Sequence, residues 1–207
     1  VERATLLDDT HNACPASMLA GLETLRALPA GRRIAILGDM LRLGEFEEEG
    51  HRLVGERAAS CVDYLVTRGE RAAHIAEAAR QAGLPSDHAI ATATHEDAAH
   101  VARQLLALPA TYTTQRDSEN TPVVLIKGSE ETRMERVSEM LMAHPELAPE
   151  ELVRQTPGWK QIVLMRPERP TWLEIDLSAI ANNTRAIKKL VGPNVRVLAS
   201  LKADGYG

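Results

Sequence analysis

Residues Pro122–Val137 read PVVLIKGSEETRMERV, and this stretch decides the architecture. Val123, Val124, Leu125 and Ile126 form a short unbroken apolar run, the pattern of a strand covered on both faces. The run delivers Lys127 to its carboxyl end, passes through Gly128 and Ser129, and gives way to helical periodicity from about Thr132 to Ala143. Strand, turn and helix in that order form half of a crossover unit, and a strand buried on both faces needs helices on both sides of its sheet.

The same unit recurs upstream. Ala4 to Leu7 reads as a strand, followed by a helix after Pro15 with Met18, Leu22 and Leu25 on one face. "RIAILGD" (33–39), "VDYLVT" (62–67) and "HAIATA" (88–93) are further strands, alternating with helices at about 47–59, 71–82 and 96–108. Five strands each followed by a helix imply a doubly wound α/β domain with a mainly parallel sheet over residues 1–143, and 109–121 is a polar surface loop. Residues 144–169 are rich in proline and charge and read as a linker with at most a short helix. From 170 onward "TWLEIDL", a helix with Ile180, Ile187 and Leu190 inward and capped by Ser178, and "VRVLASL" form a strand, a helix and a strand. Three elements cannot enclose a core, so this is read as the incomplete start of a second domain, with both ends of the sequence cut.

Composition narrows the function classes. With 207 residues, 44% hydrophobic and 26% charged, the chain has ample material for a soluble core. Aromatic content of 3% and a net charge of -5 argue against nucleic acid or an acidic membrane as partner. No apolar run approaches a membrane span, and Cys14 and Cys61 lack metal or disulfide spacing, which suits a reducing cytoplasm. His95 and His100, with Glu96 and Asp97, do not share a helix face and are read as surface residues. "GEFEEEGH" (44–51) is read as a solvated helix start, with acids near the positive end of the dipole.

In a parallel sheet, ligands bind beyond the carboxyl ends of the strands. The segments found there are "DDTHNACP", "GDMLRLGE", "TRGER" and "KGSEETRME", which gather acids, amides, cations and glycines at one edge. Taken singly, many of these residues serve as caps and turns. Lys127 with Gly128 and Ser129 differs, because a cation and a glycine turn at a helix start make an anion nest. No GxxxxGK[ST] phosphate loop occurs in the sequence.

"DDTHNACPASM", "ILGDMLRLGE" with His51 following, and "VLIKGSEETRMERV" together resemble the carboxyl-terminal domain of the Mur ligase family, in its D-alanyl-D-alanine-adding branch. The resemblance implies a Rossmann-like domain and an enzyme that uses ATP and Mg2+, both held mostly by a preceding central domain. That enzyme activates the carboxylate of UDP-N-acetylmuramoyl-tripeptide as an acyl phosphate and couples it to the amine of D-alanyl-D-alanine. It also implies that Asp9 faces the nucleotide ribose, and that Asn12 lies near the transferred phosphate and the incoming amine. Lys127 and Ser129 are implied to meet the dipeptide carboxylate, with Arg133 a weaker candidate, while Gly38 and Asp39 shape a loop. The sequence departs from the family pattern at His11 (usually Tyr), Cys14 (usually Asn), Arg42 (commonly an acid) and Glu130 (usually Arg).

"RPTWLEIDLSAIANNTRAIKKL" and "VLASLKADGYG" resemble the start of alanine racemase, a pyridoxal 5'-phosphate enzyme built on a (β/α)8 barrel. There Lys202 falls where the family keeps the lysine that carries the cofactor covalently, and Tyr206 where a tyrosine reaches the cofactor phosphate. Asp204 and Gly205 depart from the usual turn. Such a part would be homodimeric when complete and would act on alanine. The joint expectation is a bifunctional, cytoplasmic cell-wall enzyme, of which these residues alone catalyse neither reaction. Two alternatives stay open: a non-catalytic α/β ligand-binding module, and a protein acting as alanine racemase only.

Overall fold

The computed structural model describes residues 4–109, 121–156 and 177–198. The chain divides into two units, 1–162 and 163–207.

The first unit is a five-stranded sheet: β1 (Thr5–Asp9), β2 (Arg32–Gly38), β3 (Tyr64–Arg68), β4 (Ala89–Thr92) and β5 (Pro122–Lys127). The order is β1-β5-β2-β3-β4, and every neighbouring pair is parallel. The helices are α1 (Pro15–Ala27), α2 (Glu47–Ala58), α3 (Ala72–Gln81), α4 (His95–Ala107), α5 (Glu135–Leu141) and α6 (Ala148–Glu151). β2 at the centre of the sheet and β5 beside it are buried almost end to end, as their unbroken apolar runs require.

Two cores flank the sheet. Met18, Leu22 and Leu25 of α1 join Val54 and Ala58 of α2 and Ile75 of α3 against Ala35, Leu37, Leu65 and Leu125. On the other face, Ala98, Ala102 and Leu105 of α4 and Val137 and Leu141 of α5 pack on Ile34, Ile36, Val66, Val124 and Ile126. Alternate residues of one strand therefore serve opposite cores, which makes the domain doubly wound as expected.

Local chemistry sets the ends of the elements. Pro15 occupies the first turn of α1, and Ser17 Oγ accepts from the Cys14 N–H at 3.0 Å. Thr94 Oγ1 accepts from the Asp97 N–H at 3.1 Å and starts α4. Beyond β5 the expected helix from 132 is instead a 3-10 turn (Glu130–Thr132) followed by α5, with Arg133 between them at φ 55°. Met134 fills the space that bends the chain here. A Cβ on Gly38 would lie 2.8 Å from Met134 Cγ, and one on Gly128 would lie 2.6 Å from it.

The stretch read as linker carries a 3-10 turn (Pro145–Leu147), α6 and Arg154, which bonds to Glu135, and these residues belong to the first unit. In the second unit, α7 (Leu177–Val191) forms as expected and begins one residue before Ser178. Ile180, Ile187 and Leu190 are exposed along it. The strand expected at 195–201 does not form over its described part, 195–198, since a lone extended segment has no ladder to complete it. The expected strand at 171–177 lies almost wholly outside the described residues, and most of the loop at 109–121 does as well.

Candidate functional site

Parallel pairing brings all five carboxyl ends to one edge. In the β1–β5 register Asp9 stands opposite Lys127, so the acid and the cation are cross-strand partners. Lys127 is 2% exposed, and its ammonium reaches Asp9 Oδ2 at 2.8 Å and the Asn12 carbonyl at 2.7 Å. A buried ammonium needs such partners, and here they draw the β1–α1 loop over the end of β5. Asn12 itself is exposed, and its Oδ1 accepts from the Ala13 N–H at 2.8 Å.

Ser129 is also buried and works as a junction. Its N–H donates to the Asp39 carbonyl at 3.0 Å, and its Oγ accepts from the Leu41 N–H at 2.9 Å while donating to the Ala13 carbonyl at 3.4 Å. The loops after β1, β2 and β5 thus meet on one hydroxyl. Asp39 in turn accepts the Ala72 N–H at 2.7 Å at the start of α3. Its carboxylate lies against Gly69, where a Cβ would come within 2.3 Å and where φ is +117°. Asp9, Asn12, Lys127 and Ser129 are therefore gathered at the edge, with Asp39 beside them. Arg133 is buried at the far end of the 3-10 turn that follows Ser129. Lys202 and Tyr206 lie outside the described residues.

The sequence reading assigned no role at this edge to three residues that shape it. His51 is fully buried: the Met40 N–H donates to Nε2 at 3.1 Å, so Nδ1 carries the proton and donates to the Glu47 carbonyl at 2.6 Å. That pins the loop after β2. His95, expected on the surface, is 3% exposed, and its Nε2 donates to the Thr132 carbonyl at 2.7 Å. The start of α4 sits under the 3-10 turn, so tertiary packing overrides the helical-face argument. Burial, then the nearby Arg68, holds its pKa below the ordinary imidazole value.

Arg154 is the third. Its guanidinium grips Glu135 with two bonds, at 3.0 and 2.7 Å, and donates to the carbonyls of Thr10 and His11. Both side chains of the pair are almost fully buried. A residue from the expected linker thus holds the loop that carries Asn12. Charge spacing gave no signal, because the partner lies 19 positions back. Arg42, one of the departures from the family pattern, pairs with Glu131 at 2.9 Å across the same edge. Among the described residues no group of three His, Cys, Asp or Glu side chains could hold a metal.

Residues 1–130 match the family of the Mur ligase glutamate ligase domain. The UDP-N-acetylmuramoyl-tripeptide--D-alanyl-D-alanine ligase of Escherichia coli is 32% identical over 142 residues, covering 66% of this chain and 26% of that protein. The structure of the MurF ligase from Thermotoga maritima in complex with ADP superposes with a TM-score of 0.51 at 25% identity, covering 70% of this chain and 30% of that one. An alanine racemase of Desulforamulus reducens is 50% identical over 40 residues, 19% of this chain and 11% of that protein. The chain thus spans about a quarter of the ligase and about a tenth of the racemase. With a parallel sheet in which helices cover both faces, and with the family match running from the start of the chain into the turn after β5, this chain belongs to the Mur ligase family through its glutamate ligase domain.

Proposed function

We propose that the first unit serves as the carboxyl-terminal domain of an ATP-dependent ligase of peptidoglycan synthesis, which joins D-alanyl-D-alanine to UDP-N-acetylmuramoyl-tripeptide. The observation that carries this reading is the juxtaposition of the Asp9–Asn12 loop with Lys127 at the ends of adjacent strands, in a chain of this family. ATP supplies the phosphoryl group that activates the tripeptide carboxylate. Asp9 is half exposed and Asn12 is exposed; in this reading the Asp9 carboxylate accepts from ribose hydroxyls, and the Asn12 amide serves the transferred phosphate and the attacking amine. Lys127 orders both by holding the Asp9 carboxylate and the Asn12 carbonyl, so the loop arrives in position before substrate does. Lys127 and Ser129 reach a dipeptide carboxylate by exchanging Asp9 and the Ala13 carbonyl for it, and Arg133 stands behind them as a secondary cation. The sequence has no phosphate-binding loop, so most ATP contacts and Mg2+ are assigned to another part of the enzyme.

The racemase-like stretch favours a second activity in the same polypeptide. Lys202 and Tyr206 are the residues proposed to hold pyridoxal 5'-phosphate, which supplies an electron sink for removing the α-proton of alanine. A homodimeric racemase part and a cytoplasmic location complete the proposal. The pairing is chemically coherent, since D-alanine from one half feeds the dipeptide that the other half consumes.

Two experiments test these readings. Residues 1–156 are exchanged for the matching region of the Escherichia coli ligase, and ADP release is measured with tripeptide precursor, with and without D-alanyl-D-alanine. Dipeptide-dependent ADP release is expected; a folded chimera with none overturns the ligase reading. Reading the coding sequence on either side then tests the fusion. In-frame extension upstream through GxxxxGK[ST] and downstream through a barrel-length sequence is expected, and stop codons on both sides overturn it.

A further inference from the structure

The loop between β1 and α1 is held by two buried cations that come from different parts of the chain. Lys127 Nζ donates to the Asp9 carbonyl at 3.5 Å and to the Asn12 carbonyl at 2.7 Å. Arg154 takes the two carbonyls between them: Nη2 donates to Thr10, and Nη1 donates to His11 at 3.2 Å. Each carbonyl from 9 to 12 thus accepts from a cation, the outer pair from the end of β5 and the inner pair from the segment after α6. A carbonyl and the N–H of the next residue point to opposite sides of a planar trans peptide. Turning these carbonyls inward therefore turns the His11 and Asn12 N–H groups away from the cations.

Arg154 is itself firmly fixed. Its Nε and Nη2 hold Glu135 of α5 at 3.0 and 2.7 Å, and its backbone sits at φ 56°, a left-handed conformation uncommon for any residue but glycine. Such a conformation persists where surrounding contacts over-determine it, as the bonds of this guanidinium do. Thr10 has a further anchor, because its hydroxyl donates to Asp8 Oδ2 at 3.0 Å, while the Ser138 hydroxyl of α5 donates to Asp8 Oδ1. At the far end of the loop Asn12 Oδ1 closes on the Ala13 N–H at 2.8 Å. The family match covers residues 1–130, so Arg154 lies beyond the part of the chain to which the family assigns a place.

We propose that Arg154 is a positioning residue, which completes with Lys127 a two-cation clamp that presets the Asp9–Asn12 loop for the reaction. Its role toward the reaction rests on the ligase reading; the clamp itself does not. Arg154 acts through the backbone of the loop and needs no contact with substrate. With Lys127 alone the loop has fixed ends and a released middle, so loss of Arg154 frees Thr10 and His11 while Asp9 and Asn12 stay tied to β5. A lysine at 154 carries the charge without the planar fork, so it holds fewer of these acceptors at once.

The test measures nitrogen-15 relaxation in the full 207-residue chain. In the unaltered protein the Thr10–Ala13 amides should have order parameters of about 0.85, as rigid as the strands. The double variant Glu135→Leu with Arg154→Met removes both charges of the buried pair. Its His11 and Asn12 amides should fall below about 0.6 while those of β1 and β5 stay unaltered. Arg154→Lys alone should keep part of the order. A merely stabilising pair would lower the melting temperature and leave the loop rigid, so a loop that stays rigid in the folded double variant overturns the proposal. A loop already mobile in the unaltered protein overturns it as well, and that result needs no variant to fold. Carried into the active ligase chimera, the double variant should slow dipeptide-dependent ADP release about tenfold or more at saturating substrate, because orientation rather than affinity is lost. An unchanged rate overturns the positioning role. If the loop loosens as expected while the chimera is inactive, the ligase reading falls and the clamp stands. An active chimera with a loop that stays rigid gives the opposite result.

Discussion

Asp9 and Lys127 are register partners on adjacent parallel strands, yet one is half in solvent and the other is sealed from it. The asymmetry decides which of them the fold depends on. Removing Asp9 leaves a buried ammonium with carbonyl partners alone, whereas removing Lys127 leaves a carboxylate that water can reach.

Asp9→Asn should therefore destabilise the domain by about 1–2 kcal/mol, a value reduced by the exposure of Asp9, and Lys127→Met should do so by less. Urea denaturation of both variants checks the order. A larger loss for Lys127→Met would show that its bond to the Asn12 carbonyl outweighs the charge.

The Arg154–Glu135 pair has no such asymmetry, since both partners are buried. Arg154→Met or Glu135→Leu alone should cost about 3–5 kcal/mol, because each strands a buried charge. The double variant should recover part of that loss, though the Thr10 and His11 carbonyls still lack their donor. A thermal-denaturation cycle over the four proteins measures the coupling.

Gly55 lies where α2 crosses α3, and a Cβ there would stand 2.3 Å from the Ile75 carbonyl oxygen and 2.6 Å from Ala78 Cβ. Gly55→Ala should destabilise despite a helix-propensity gain of about 1 kcal/mol, because overpacking of about 1–3 kcal/mol must separate two backbones. Calorimetric melting of the variant gives the sign directly.

His95 supplies a pH dependence. Its folded pKa lies below the ordinary 6.5, so the unfolded chain takes up a proton before the native one does. Stability is full above pH 6.5 and declines as pH falls beneath it, at a slope of up to about 1.4 kcal/mol per pH unit until the native imidazole also titrates. Arg68 and Arg136 disfavour the charged ring, while Glu96 and the Thr132 carbonyl favour it. His95→Gln should flatten the curve just below pH 6.5, read from urea midpoints across that range; an unaltered slope would remove His95 as its source.

The strands were legible because their apolar runs are short, unbroken and separated by helices, and their order in the chain put Lys127 and Asp9 at the ends of β5 and β1. Periodicity does not report which strands become neighbours, so the register that pairs these two residues emerges only in three dimensions. His95 shows the limit plainly. Its burial comes from a turn 37 positions away, and no face argument within α4 contains that contact. Arg154 was hidden by its surroundings, since proline and charge are equally the marks of a linker and of a segment folded back on a domain.

Met134 also sets the sequence of changes by which this part of the sheet could drift. Its side chain and the Thr132 hydroxyl together block a methyl group at both Gly38 and Gly128, at the ends of neighbouring strands. Either glycine becomes replaceable only after positions 132 and 134 have both given way, and the space they vacate is what a new methyl can then fill. The four positions are therefore a single steric unit: substitutions within it should be tolerated with 132 and 134 first and a glycine second, and refused in the reverse order.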